Sequence, residues 1–447
     1  MPTLKPRHGR RRLLQSSPAK KKRSAPTTLL TLSDDTLRRA LAHVPLQSHG
    51  ALAQTCKRLK DVKERRQFRR ERANSGCEES VLIVTGGNDA RDDTWNETTF
   101  VLQADGSWRT RFHQNPNPLL RLPRAARAVQ EMDLVSGDGG GHAVVNGELF
   151  VVGAVSLCGL PSASLSAYDV GGDAWRNNYA HARRSRRNAL PCPPPPEARA
   201  AAAVGAIGDL LVVAGGESDE AVVVPDEDED GFLACNLEIV ARGHAFDART
   251  REWTHIEEMP LGVAHAASAV VGGKLYVAGG VFTDGLADGL EDESDQLQVF
   301  DSVGWTSGRI DLPEDRSSSR FPGSSCGAAR DGEFVVVCGG SREHEIVEPA
   351  EGEDEPVFEL VEAAPRTYAY DVQDRSWRVL PALLDLREGF SVAAHGGDLY
   401  VVGGISPSDR APPLVLRAGA AAWEPVPGAP DELGALERLA LASVVLG

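Results

Sequence analysis

Residues 264–280 read AHAASAVVGGKLYVAGG, two short runs of aliphatic and β-branched residues joined by Gly272-Gly273 and stopped by Gly279-Gly280. The runs are apolar nearly throughout rather than alternating, as strands covered on both faces read. The same stop closes VLIVTGG (81–87), ELFVVGA (148–154), DLLVVAGG (209–216), EFVVVCGG (333–340) and DLYVVGG (398–404). Each is followed by a lone tryptophan: Trp108, Trp175, Trp253, Trp305, Trp377 and Trp423. The first glycines stand at 86, 153, 215, 279, 339 and 403, so one unit of 60 to 67 residues repeats six times. A third strand ends in an aromatic-Asp pair in four copies, at Tyr168-Asp169, Phe246-Asp247, Phe300-Asp301 and Tyr370-Asp371. In three of these the aromatic precedes the tryptophan by seven residues, a spacing that fits a hairpin with both rings on one sheet. The unit is therefore predicted to hold four strands.

This pattern resembles the kelch repeat, whose units are the blades of a β-propeller. The resemblance covers residues 80–447 and implies a mainly β fold, a six-bladed kelch β-propeller preceded by a small all-α module. The first copy starts at its second strand, and residues 437–447, ERLALASVVLG, look like a first strand with nothing after it. Residues 439–446 are thus expected to supply the missing inner strand of blade one, so that no edge stays open between first and last blades.

Composition bounds the remaining choices. The seven cysteines form no CxxC pair, which argues against a zinc-held RING and, being odd in number, against a disulfide framework. No apolar stretch approaches a membrane span, and the basic N-terminal tract is not followed by the apolar segment of a secretory signal. The net charge of −16 hides a partition: residues 1–75 carry 20 Lys and Arg against 5 Asp and Glu, and the remainder carries 28 against 59. Much of the negative charge lies in three insertions between the diglycine and the third strand, at 217–230, 284–295 and 343–355. They are expected to be solvated loops on one face, with selection of a basic partner as the alternative.

Residues 1–28, with RHGRRR and KKKR, are expected to be a disordered basic tail. The two clusters resemble a bipartite nuclear-import signal, which points to nucleus and/or cytoplasm. The tract lacks aromatics for base stacking, so nucleic acid is not expected to be the main ligand. Residues 29–72 read as a helical module: Ser33 is a good N-cap, and Asp34 and Asp35 suit the first turn. Leu37, Leu41 and Val44 then recur at helical spacing before Pro45, and a second helix from Ser48 carries Leu52, Cys56 and Leu59 on one face. So few apolar positions cannot bury a core alone.

The segment from Leu32 through Leu59, with Phe68 downstream, resembles the F-box, which docks ubiquitin-ligase receptors on a Skp-type adaptor. The resemblance implies adaptor contacts at Leu32, Leu37, Leu41, Val44, Pro45, Leu52, Cys56 and Leu59. F-box plus kelch implies a non-enzymatic, cofactor-free substrate receptor of a cullin-type ligase, with the adaptor and cullin complex as partners and a protein target on the propeller face. The alternatives are a kelch scaffold without ligase activity and an enzyme, since kelch propellers occur in copper oxidases and sugar isomerases. The eleven histidines are scattered singly, and His142, His265 and His395 fall in or near inner strands. For the target, Arg199 and Arg387 each stand sixteen residues before a first glycine, and Arg438 holds a similar place before the closing strand. Three guanidiniums on one rim would clamp an acidic or phosphorylated segment. The alternative is that they tie adjacent loops together.

Overall fold

A computed structural model describes residues 33–44, 79–89, 94–95, 98–112, 141–153, 161–170, 174–177, 192–219, 237–283, 291–313, 321, 325–347, 357–406 and 411–446. Six antiparallel four-stranded sheets form the blades of a propeller. Blade two runs Gly141–Val145, Glu148–Val152, Leu165–Asp169 and Ala174–Asn177, and blade three runs Ala203–Ile207, Leu210–Ala214, Gly243–Asp247 and Glu252–Ile256. Blade four runs Ala267–Val271, Lys274–Ala278, Gln296–Phe300 and Trp305–Arg309. Blade five runs Ser325–Arg330, Glu333–Cys338, Arg366–Asp371 and Ser376–Leu380, and blade six runs Ser391–His395, Asp398–Val402, Leu414–Leu416 and Glu424–Pro425. Blade one is shared between the two ends of the chain. Its inner strand is Ala440–Leu446, which pairs with Glu79–Thr85 from Thr85↔Ala440 to Glu79↔Leu446 and is followed by Thr98–Leu102 and Trp108–Phe112.

The local chemistry of the unit accounts for each strand junction. First and second strands turn at Asn146-Gly147, Gly272-Gly273, Asp331-Gly332 and Gly396-Gly397, with both residues at positive φ, as the favoured two-residue hairpin requires. At the turn after the third strand the Asp of the aromatic-Asp pair takes over. Asp371 Oδ1 accepts from the backbone N–H groups of Gln373 (2.8 Å) and Asp374 (3.0 Å), and Asp301 does the same for Val303 and Gly304. These bonds hold both carboxyls below the usual carboxylate range. The aromatic and Trp are cross-strand partners, with ring centroids 5.2 Å apart for Phe246 and Trp253 and 5.0 Å for Tyr370 and Trp377. Trp Nε1 then reaches the preceding blade: Trp305 donates to Glu257 O at 2.9 Å and Trp423 to Pro381 O at 2.8 Å.

The diglycine works as a double contact. Gly215 and Gly216 both have positive φ; a Cβ on Gly215 would lie 2.5 Å from Val263 O, in the lead-in to blade four. One on Gly216 would lie 2.5 Å from Ala200 O, in the lead-in to its own blade. Neither approach admits a side chain, so the pair fixes each blade to itself and to the next.

The ring closes physically. Inner strands touch in the cyclic order of blades one to six and back to one, and six hydrophobic clusters fill the six junctions. The cluster between blades six and one joins Leu82, Val84 and Phe100 to Tyr400, Val402 and Leu441. On both sides the closing strand is also bonded through polar side chains. Ser391 Oγ donates to Leu439 O (2.5 Å), His395 Nδ1 lies 3.0 Å from Ser443 Oγ, and His142 Nε2 lies 2.9 Å from Leu441 O.

The acidic insertions differ from the loops expected of them. Each is rooted in a two-stranded ribbon: Glu217–Asp219 with Leu237–Ile239, Val281–Thr283 with Glu291–Glu293, and Ser341–Val347 with Val357–Ala363. Backbone pairing therefore continues past the second glycine. In the N-terminal module, Asp34–Ala42 is an α-helix whose N-cap Ser33 Oγ accepts from the Thr36 N–H. The basic tail and the expected second helix lie outside the described residues.

Candidate functional site

The lead-ins to four of the inner strands lie on the face where the chain leaves the second strands, because each of the four pairs with the residue that follows its own blade's diglycine. Ala200 bridges Glu217, Ala264 bridges Val281, Glu388 bridges Ile405, and Glu437 pairs with Asn88. This face carries all three arginines predicted from the sequence, but the structure does not bring them together as an open clamp.

Arg387 is 1% exposed. Its Nε and Nη2 donate to Asp385 at 2.8 to 3.1 Å, and its Nη1 donates to Pro412 O (3.2 Å) and Gly403 O (3.4 Å). All three guanidinium nitrogens thus have acceptors inside the blade. Its backbone N–H donates to Gly339 O of blade five, so the residue ties two blades. Arg199 is 2% exposed and pairs with Glu197, which also accepts from Arg242 Nε at 3.2 Å. Burial works to raise the Glu197 carboxyl, but Arg199 and Arg242 beside it prevail and hold it below the usual range.

Arg438 is different in kind. The carbonyls packed on the first glycines come from Arg199, Val263, Arg387 and Leu436, so the place equivalent to Arg199 and Arg387 in blade one belongs to Leu436. Arg438 stands two residues further on, at positive φ, with its side chain 47% exposed. The sequence missed this offset because the closing strand has no diglycine near it from which to count. It also missed the internal partners, although an acid two residues before the arginine, Glu197-Ala-Arg199 and Asp385-Leu-Arg387, is visible in both copies.

Other side chains on this side of the molecule are also engaged. His265 Nε2 lies 2.9 Å from Glu217 Oε1. His244 is buried beside Glu197 with Nε2 unpartnered, and its ring is 4.5 Å from that of His255; burial holds its pKa down. Along the inner strands the Cys326 thiol donates to Phe390 O at 3.0 Å, and burial pushes it up to about 12. Among the described residues no group of three or more His, Cys, Asp and Glu side chains is placed to hold a metal, and no described helix is long and apolar enough to cross a membrane.

In the helical module Leu37 is fully covered and Leu41 is 4% exposed within the chain itself, while Val44 is half-buried. Leu32, Pro45, Leu52, Cys56 and Leu59 lie outside the described residues.

The F-box domain profile matches residues 29–71. An F-box/kelch-repeat protein of Arabidopsis thaliana is 26% identical over 195 residues, which are 42% of this chain and 37% of that relative. An F-box match ahead of a six-bladed propeller with this diglycine and tryptophan pattern makes the chain similar to F-box/kelch-repeat proteins, and the match spans about a third of that relative's length.

Proposed function

We propose that the chain is the substrate-recognition subunit of a cullin-type ubiquitin ligase. The F-box would dock on a Skp-type adaptor, and the propeller would hold the protein to be modified. The observation that carries this reading is the F-box match at residues 29–71 in the same chain as a closed six-bladed propeller. The chain itself would then supply no catalytic group. Its contribution is proximity, which makes transfer to a target lysine effectively unimolecular. The nucleus and the cytoplasm are the compartments this reading favours.

The test is co-purification of the full chain with a Skp-type adaptor and cullin, alongside the double variant Leu37→Asp, Leu41→Asp. Two buried carboxylates without partners would unfold the helical module. Adaptor should be lost while the propeller melts at an unchanged temperature. Equal adaptor capture by variant and parent, or none by the parent, would overturn the assignment. The second reading is a kelch scaffold without an adaptor, and the burial of Leu37 and Leu41 inside the chain favours it. Target capture by the propeller with no adaptor at any concentration would select it.

A further inference from the structure

The junction between blades two and three runs Cys192-Pro193-Pro194-Pro195-Pro196-Glu197 ahead of the inner strand Ala203–Ile207. Its counterparts carry single prolines, Pro260, Pro313 and Pro381, after the outer strands that end at Ile256, Arg309 and Leu380, and no other junction between blades has two in succession. What the fold takes from this place is one backbone carbonyl. Trp253 Nε1 donates to Pro193 O at 3.2 Å, as Trp305 does to Glu257 O and Trp423 to Pro381 O. A glutamate serves in one of the three, so the bond does not require proline, and Pro194 and Pro196 have no part in it.

Consecutive prolines dictate a conformation. Each ring fixes its own φ at about −65°, and residues 192–195 all precede a proline, which drives them to extended ψ. With no cis peptide bond among the described residues, the product is a polyproline II helix of about three residues per turn. Burial follows that period. Cys192 and Pro195, one turn apart, are buried, whereas Pro194 and Pro196 are exposed and Pro193 is half-buried. One edge of the helix therefore lies on the propeller and the other two face outward. Both ends are also pinned: Arg251 Nη2 donates to Cys192 Sγ at 3.2 Å, and Glu197 is paired with Arg199 and Arg242.

We propose that residues 193–196 are a docking edge for the aromatic-lined groove of an SH3-type domain, which reads a Pro-x-x-Pro core in the polyproline II form. Pro193 and Pro196 stand one turn apart on one outward edge and Pro194 on the other, so the groove meets two edges while the third stays on the blade. The helix is ordered before the partner arrives, and docking costs little conformational entropy. This partner is distinct from the adaptor and from the target, and the inference stands without the ligase reading.

The test titrates a set of labelled SH3 domains, with WW and EVH1 domains alongside, against the full chain, the double variant Pro194→Ala, Pro196→Ala, and a free peptide of residues 192–198. At least one SH3 domain should bind the parent chain. The double variant should bind it at least about tenfold more weakly at an unchanged melting temperature, since both rings are exposed. Pro260→Ala, at the next junction, should bind as the parent does. No SH3 binding by the parent, capture by WW or EVH1 domains alone, or equal binding by parent and double variant would overturn the proposal. So would SH3 binding to the free peptide but not to the chain, because the outward edges would then be inaccessible in the folded protein.

Discussion

Removing residues 439–447 tests the closure of the ring. The deletion takes away Leu439, Ala440, Leu441, Ala442 and Val444, each 7% exposed or less. The three larger side chains alone represent about 6 kcal/mol of burial at about 2 kcal/mol each. The seven-pair ladder to Glu79–Thr85 goes with them, as do the side-chain bonds from His142, Ser391 and His395. A folded domain holds about 5–15 kcal/mol in total, so the truncated propeller should stand at the edge of unfolding. At about 2–4 °C per kcal/mol for a large domain, Tm should drop by at least about 10 °C. Calorimetry reads the drop, and tryptophan emission localises it, because Trp108 and Trp423 lie in the two blades at the seam. A synthetic peptide of residues 436–447 should restore Tm in proportion to the logarithm of its concentration. A truncated chain melting within about 2 °C of the parent would refute the closure model.

Two further perturbations probe the interior of the same ring. Arg387→Ala strands Asp385 beside an emptied cavity and should cost about 3–5 kcal/mol in denaturant melts; a variant of unchanged stability that loses targets would return Arg387 to the binding rim. His142, His244 and His395 have pKa values lowered chiefly by burial, so the unfolded chain binds more protons than the folded one as pH drops. Their contribution is complete above the ordinary histidine range near ~6.5 and is lost as pH falls through it towards the lowered values. Tm should therefore fall between pH 7.5 and 5.5, less steeply in His142→Gln, and a flat or rising profile would contradict these assignments.

The repeat was legible because its signals are local and counted from fixed points. A diglycine, a turn pair such as Asp331-Gly332 and a tryptophan seven residues after an aromatic each report one backbone requirement, and the requirement recurs. Closure by residues 439–446 was legible for the same reason, as an inner strand lacking the partner that every other copy has. The recognition face was only half legible. That Arg387 is buried depends on carbonyls of Gly403 and Pro412 reaching it from later in the chain, which spacing does not express. The two-residue shift of Arg438 relative to Arg387 depends on Glu437 pairing with Asn88 from the far end of the chain. The acidic ribbons were hidden by composition, since Glu217–Asp219 and Glu291–Glu293 carry the residues of a loop and pair only because a ring of rigid blades brings their ends together.

The seam also sets a timetable. Glu79–Thr85 is made early and Ala440–Leu446 late, so at roughly 5–20 residues per second the first waits on the order of tens of seconds for the second to leave the ribosome. During that interval an apolar strand, Val81 to Val84 above all, has one side with nothing to pair against, the condition under which chains join one another edge to edge. Contacts between such distant segments also form slowly once both are present. Biosynthesis of this protein should therefore depend on holdase chaperones that shield Glu79–Thr85 until Ala440–Leu446 has emerged, and a product stalled before that strand should be less stable and more prone to associate.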